Sequence, residues 1–204
     1  MATQKQIQRE NRILNEALDE FSIVGFHSAN LDKIAERAHV GKATVYRHYG
    51  SKEGLYYKVF ERIIQKLEEV IREKADFSDF REGVETAMKA FFKQVKENPR
   101  VFEFLKIFSG DKPISNADLV QKMIDRYFFS GGWAVDEIVK AQAGGQVNAE
   151  IDPELLAYGA FGMVNSLAIY WIKSGKPANL SANVKLICET IFNGITPRRK
   201  DRKK

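Results

Sequence analysis

Residues 30–56 read NLDKIAERAHVGKATVYRHYGSKEGLY, and this stretch decides the fold. Leu31, Ile34, Ala35 and Ala38 recur at helical spacing and predict a short amphipathic helix over 31–38. Asn30 stands just before it, where a side-chain oxygen accepts backbone N–H groups that the first turn leaves unpaired. His39-Val40-Gly41 breaks the pattern. A second short helix over 42–48 carries Lys42, Thr44, Tyr46, Arg47 and His48, with only Ala43 and Val45 as apolar content. A core-facing helix is not written that way; one that lies against phosphates and base edges is. Ser51 then caps a third helix with Glu53 and Leu55 in its first turn. Two short helices around a tight turn make a helix-turn-helix, whose second helix enters the major groove of DNA.

The wording GF…NLDKIAERAHV, KATVYRHY and SKEGLY, within residues 10–57, resembles the tetracycline-repressor-like (TetR/AcrR) family of bacterial regulators. The chain departs from the family's usual wording at three positions: His39 replaces the turn glycine, and Gly41 and Ala43 stand where Ser and Gly are common. The resemblance implies phosphate contacts from Tyr46 and His48 and a packing role for Tyr49. Lys42, Thr44 and Arg47 are the candidates for base edges, with Ala43 near enough for a thymine methyl. Lys52 sits at a helix N-terminus, where the dipole disfavours a cation and a bound phosphate would offset that. With Asn30 these residues form the candidate DNA-binding set. Gln4, Lys5 and Arg9 at the chain start are either further phosphate contacts or a solvated helix end.

The charge pattern supports this only locally. Residues 1–58 hold nine Lys/Arg against seven Asp/Glu, and residues 59–196 hold 17 against 19. The tail PRRKDRKK, residues 197–204, holds six against one and so supplies the net charge of +5. A like-charged run of this kind buries nothing and predicts a disordered end that adds non-specific DNA affinity.

At 204 residues, 44% hydrophobic and 29% charged, the chain can bury a sizeable core. The N-terminus MATQKQIQRE lacks a signal-peptide apolar core, and no apolar run is expected to reach the ~20 residues of a membrane span. A cytoplasmic protein is expected. One cysteine, Cys188, excludes an internal disulfide, and Cys188 with the three histidines shows no zinc-ligand spacing. No phosphate loop, dinucleotide fingerprint, His-Glu-x-x-His or serine elbow occurs, so neither an enzyme nor a cofactor is expected.

Along the chain the reading is all-α, about nine helices. The first runs over 5–24 on Ile13, Leu14, Ala17, Leu18 and Phe21, with Gly25 suited to its C-terminal cap. The next after the helix-turn-helix runs from Lys52 to about Lys74 without punctuation, which predicts rigid coupling of the DNA-binding unit to the C-terminal helices. Further helices are expected from Ser78 or Asp79 to Glu97, over 100–109, from Asn116 to Ala143 with a kink at Gly131-Gly132, from Pro153 to Gly175, and from Asn179 or Ser181 onward. The expected division is a DNA-binding unit 1–51, an effector and dimerisation domain 52–196, and the tail 197–204.

The resemblance also implies a homodimer and an effector pocket among helices four to eight. Phe104, Phe108, Met123, Tyr127 and Met163 are the pocket candidates, which suit a small hydrophobic effector. Ala160, Gly162, Ser166, Val184, Ile187 and Ile191 are the candidate dimer interface, since a two-fold dimer needs a self-complementary face. The expected protein is a homodimeric, ligand-responsive regulator, a repressor on a palindromic operator. The competing reading is a helical small-molecule-binding dimer or co-regulator without sequence-specific DNA binding, which a mobility-shift assay separates from the first.

Overall fold

The computed structural model describes residues 3–98, 114–128, 132–174 and 180–193. Among them the chain is helical, in the order α1 (Gln4–Ser28), α2 (Leu31–Arg37), α3 (Lys42–Tyr49), α4 (Lys52–Lys74), α5 (Phe80–Glu97), α6 (Ala117–Phe128), α7 (Gly132–Ala143), α8 (Pro153–Ser174) and α9 (Leu180–Asn193). The expected helix over 100–109 and the basic tail lie outside the described residues, as do Phe104 and Phe108.

Most of these helices start where a side chain can take up unpaired N–H groups. Thr3 and Gln6 form a reciprocal capping box at α1. Asn30 Oδ1 accepts from Asp32 N at 2.8 Å, and Ser51 Oγ from Gly54 N at 3.1 Å. Asp79 caps α5 through Glu82 N, Asn116 caps α6 through Leu119 N, and Asp152 caps α8 through Leu155 N. Gly25 takes φ 77°, ψ 169°, a conformation open essentially to glycine alone, and the helical turn resumes through Ser28. Of the stretch expected as one kinked helix, α6 and α7 are described, and residues 129–131 between them, with the expected kink, lie outside the described residues.

The described chain forms two compact units, with the division inside α4 after Val70 and inside α5 after Phe92. The first contains α1–α3, most of α4, the end of α5 and α6. Ile13, Ala17, Ile34, Ala38, Val45, Leu55, Val59 and Phe60 are at most 1% exposed there. Phe21, Phe26 and Tyr56 meet edge to face, with ring centroids 4.8 and 5.1 Å from Tyr56. Tyr127 of α6 packs against Phe60 of α4, and Arg126 forms a two-pronged ion pair with Glu68 at 2.9 and 3.1 Å.

The second unit contains the end of α4, most of α5, and α7 to α9. Phe80, Ile138 and Ala141 are its buried cluster, lined by Phe77, Val84, Leu156 and Phe192. Gln146 ties the loop after α7 to the start of α5: its Oε1 accepts from Phe80 N at 2.7 Å and its Nε2 donates to Ser78 O at 3.0 Å. Cys188 and Met88 bring their sulfurs together at 3.8 Å in the interior. Two expectations are corrected here. Val184 and Ile187 are 0% and 3% exposed within the single chain, so that stripe of α9 closes the unit's own core and is not a free dimer face. And α8 is, by length and composition, apolar enough to cross a bilayer, where the sequence reading expects no such span.

The turn of the helix-turn-helix is a Schellman motif. Val40 N bonds Ala35 O and His39 N bonds Glu36 O, both at 3.0 Å, and His39 sits left-handed at φ 54°. Histidine tolerates that region better than most residues but not freely. At Gly54 the backbone of α4 meets Tyr49 O so closely that an added Cβ would stand 2.0 Å from it. Two substitutions should therefore move stability in opposite directions. His39→Gly is expected to gain ~0.5–1 kcal/mol by relieving the left-handed residue, and Gly54→Ala to lose roughly 1–3 kcal/mol by overpacking. Chemical denaturation of both variants checks the signs.

Candidate nucleic-acid interface

Helix α3 buries one side chain, Val45, and turns most of the rest outward. Lys42, Ala43, Tyr46 and Arg47 are exposed at helical spacings that place them on one face. His48 is exposed beside it, and Thr44 is half-buried. Ala35 of α2, Ala38 at its C-cap and Val45 of α3 are all buried, and α2 and α3 are in contact. Asn30 keeps its side-chain oxygen for the cap of α2, while its N–H donates to Glu20 Oε1 at 3.3 Å.

Around this face the polar groups are paired. Glu20, 5% exposed, also accepts from Arg37 at 2.8 Å, and Arg37 reaches Glu16 at 3.2 Å, so α2 is clamped to α1. Lys42 Nζ lies 2.7 and 2.9 Å from the two carboxylate oxygens of Asp32. The hydrogen bond from Lys42 to Asp32 holds the ammonium above its ordinary pKa. Arg9 of α1 meets His48 Nε2 at 3.2 Å. A guanidinium has no acceptor, so Nε2 accepts and the imidazole proton sits on Nδ1. Any N–H that His48 offers a phosphate is thus Nδ1–H, with the Arg9 guanidinium beside it. Tyr49 is half-buried, and burial pushes its phenol up to about 12, with the nearby Glu10 adding to it.

Lys52 is held by the end of α1. Its ammonium donates to His27 O at 3.0 Å and Ala29 O at 3.4 Å, and lies 5.0 Å from the Phe26 ring centre. The carbonyl end of α1 and an aromatic face offset the unfavourable dipole of its own helix. The two carbonyl contacts occupy two of its three N–H donors.

Met123 and Tyr127 are buried in the first unit, where burial holds the Tyr127 phenol above its ordinary pKa, and Met163 is half-buried in the second. Of the dimer candidates, Ala160, Gly162 and Ile191 are half-buried and Ser166 is exposed. An added Cβ at Gly159 or Gly162 would meet nothing within 4 Å. Leu155, Tyr170 and Leu186 are 60–69% exposed on α8 and α9. Reading the sequence alone misses Leu155, Tyr170 and Leu186, and also Asp32 and Glu20. Spacing along α8 is the signal that flags Leu155 and Tyr170, which share a face with Gly159, Gly162 and Ser166. Nothing local links Asp32 to Lys42 across the turn.

A surface helix of this composition, braced by two others, defines a helix-turn-helix DNA-binding regulator. Residues 13–59 match the family model described as bacterial regulatory proteins, tetR family. It is 24% identical over 190 residues to the HTH-type transcriptional activator FasR of Mycolicibacterium smegmatis, covering 93% of this chain and 84% of that one. Among solved structures, the fatty acid degradation regulator FadR of Bacillus halodurans shares the fold with a TM-score of 0.75 at 20% identity, covering 91% of this chain and 99% of that chain. The transcriptional regulator FadR of Bacillus subtilis, in complex with stearoyl-CoA, does so with a TM-score of 0.72 at 21% identity over the same shares.

Proposed function

We propose that this transcriptional regulator is a cytoplasmic homodimeric repressor that reads a palindromic operator with two α3 helices and is released by a small, largely apolar effector. The observation that carries the DNA half is the outward face of Lys42, Ala43, Tyr46 and Arg47 on a helix that buries only Val45. In a two-fold dimer the two faces would stand about one DNA turn (~34 Å) or more apart. Residues 1–51 carry the DNA contact, residues 52–196 the effector and dimer functions, and the basic tail adds non-specific affinity. The dimer face is the open side of α8, around Gly159, Gly162, Ser166 and Tyr170, continued by Leu186. An apolar helix only 17% buried in its most apolar stretch needs cover, and in a DNA-binding regulator a second copy supplies it.

The effector half rests on the link between α4 and α6. Phe60 with Tyr127, and Glu68 with Arg126, hold α6 against the helix that begins at Lys52 beside the recognition unit. A ligand that parts them displaces α4, because packed cores transmit strain. Long-chain acyl-CoA, apolar in its acyl chain but polyanionic in its CoA portion, is the first compound to try beside simple apolar molecules, since Bacillus subtilis FadR, of the same fold, is seen with stearoyl-CoA.

Selection of bound sequences from a random duplex pool tests the DNA reading. The wild type is expected to yield a palindrome. Arg47→Ala should change the preferred bases by about 1–3 kcal/mol of discrimination, while Tyr46→Phe weakens all sites alike. Unchanged preference in Arg47→Ala removes it as a base reader. Gly162→Leu, whose first added carbon meets no clash within its own chain, should give a folded monomer by light scattering that has lost tight palindrome binding. For the effector, stearoyl-CoA is titrated into protein with and without the selected operator. Linkage requires weaker binding to the DNA complex, by about 5–150-fold. Equal affinity for both forms would reject effector release.

A further inference from the structure

The ion pair between Asp32 and Lys42 is not there for stability. Both side chains are more than half exposed, at 55% and 56%, and pairs so placed contribute little to folding. Its effect is on where the ammonium can go and on how much charge it shows. Asp32 is the second residue of α2 and Lys42 the first of α3, so the pair spans the turn at the edge of the DNA face. The carboxylate holds Nζ through both oxygens, and Nζ also lies 5.9 Å from the ring centre of Tyr46, one turn further along the same face. Lys42 is thus laid between a carboxylate and an aromatic ring.

We propose that Asp32 is a positioning residue that makes Lys42 a reader of base edges instead of a phosphate ligand. The inference rests on the reading of α3 as the DNA-contacting helix. A free lysine is a strongly hydrated point charge on a flexible stem, which any phosphate satisfies. Paired with Asp32, Lys42 is locally neutral and draws little from the phosphate backbone. Its remaining donor is tethered at the edge of the α3 face, where guanine presents acceptors in the major groove through O6 and N7. Removing the carboxylate frees the ammonium to swing to a phosphate, which strengthens binding to any duplex and weakens discrimination.

The test uses the full chain with Asp32→Asn, Lys42→Met and the double variant, and with Asp32→Ser as a second removal of the carboxylate. Each is put through random-pool selection and through salt titration on the selected site and on an unrelated duplex. Asp32→Asn should steepen the log–log salt slope by ~0.9, one further phosphate neutralised. It should also tighten binding to the unrelated duplex several-fold. Discrimination at the base pair whose preference disappears in Lys42→Met should fall by roughly tenfold. In the Lys42→Met background Asp32→Asn should leave that base preference unmoved, which a merely structural role for Asp32 would not require. If both carboxylate variants keep the wild-type slope and preference, or shift preference equally with and without Lys42, the inference is overturned while the DNA reading stands. A wild-type chain that selects no sequence overturns the DNA reading, and this inference with it.

Discussion

A helix of eight residues that buries a single side chain cannot hold its own position, and every contact proposed with DNA depends on α3 being held. Isolated helices of that length are marginal in water, so its geometry is borrowed. Val45 seats it against the small residues of α2. The Schellman turn at His39 fixes the angle at which the chain enters. At the far end, Gly50 and the Ser51 cap pass the chain into α4, and Gly54 lets the two backbones close up. On the outer side Asp32 and Arg9 reach Lys42 and His48 from α2 and α1. The recognition surface is therefore a property of four helices, although its residues come from one.

The arrangement of charge serves the same end. Several cations of the first unit near α3 are engaged: Arg37 by Glu16 and Glu20, Lys42 by Asp32, Lys52 by the carbonyl end of α1. A surface of free lysines would attract any duplex, and pairing converts attraction into direction. The +5 net charge of the chain comes from the basic tail, away from this surface in sequence. On the proposed reading, non-specific attraction and specific reading belong to different parts of the chain.

How much of this is legible in the sequence depends on the range of each interaction. Helix starts are readable because a cap acts within three residues, and Asn30, Ser51, Asp79, Asn116 and Asp152 all behave as their types suggest. The outward face of α3 is readable because composition alone marks it. The carbonyl partners of Lys52 are not readable because a dipole argument is local, whereas His27 and Ala29 lie more than 20 residues away. Val184 and Ile187 fall into an expected interface because an apolar stripe on a final helix does not say which core it closes. The apolar length of α8 is undercounted because its glycines and its scattered polar residues break the look of an apolar run without lowering its mean hydropathy far.

That composition of α8 has a further consequence for packing. Val164, Asn165 and Ala168 face inward, and the opposite side presents Gly159, Gly162 and Ser166 between Leu155 and Tyr170. Small residues flanked by large ones make a groove with raised ends. Such a surface gains little from water and much from a second helix of the same shape, because close approach multiplies dispersion contacts that no single side chain could supply. In the proposed homodimer two-fold symmetry would provide that shape without a second gene product, the raised ends of one copy meeting the groove of the other. On the proposed reading the recognition helices need two copies at a fixed spacing, and the open face of α8 is the surface proposed to fix them.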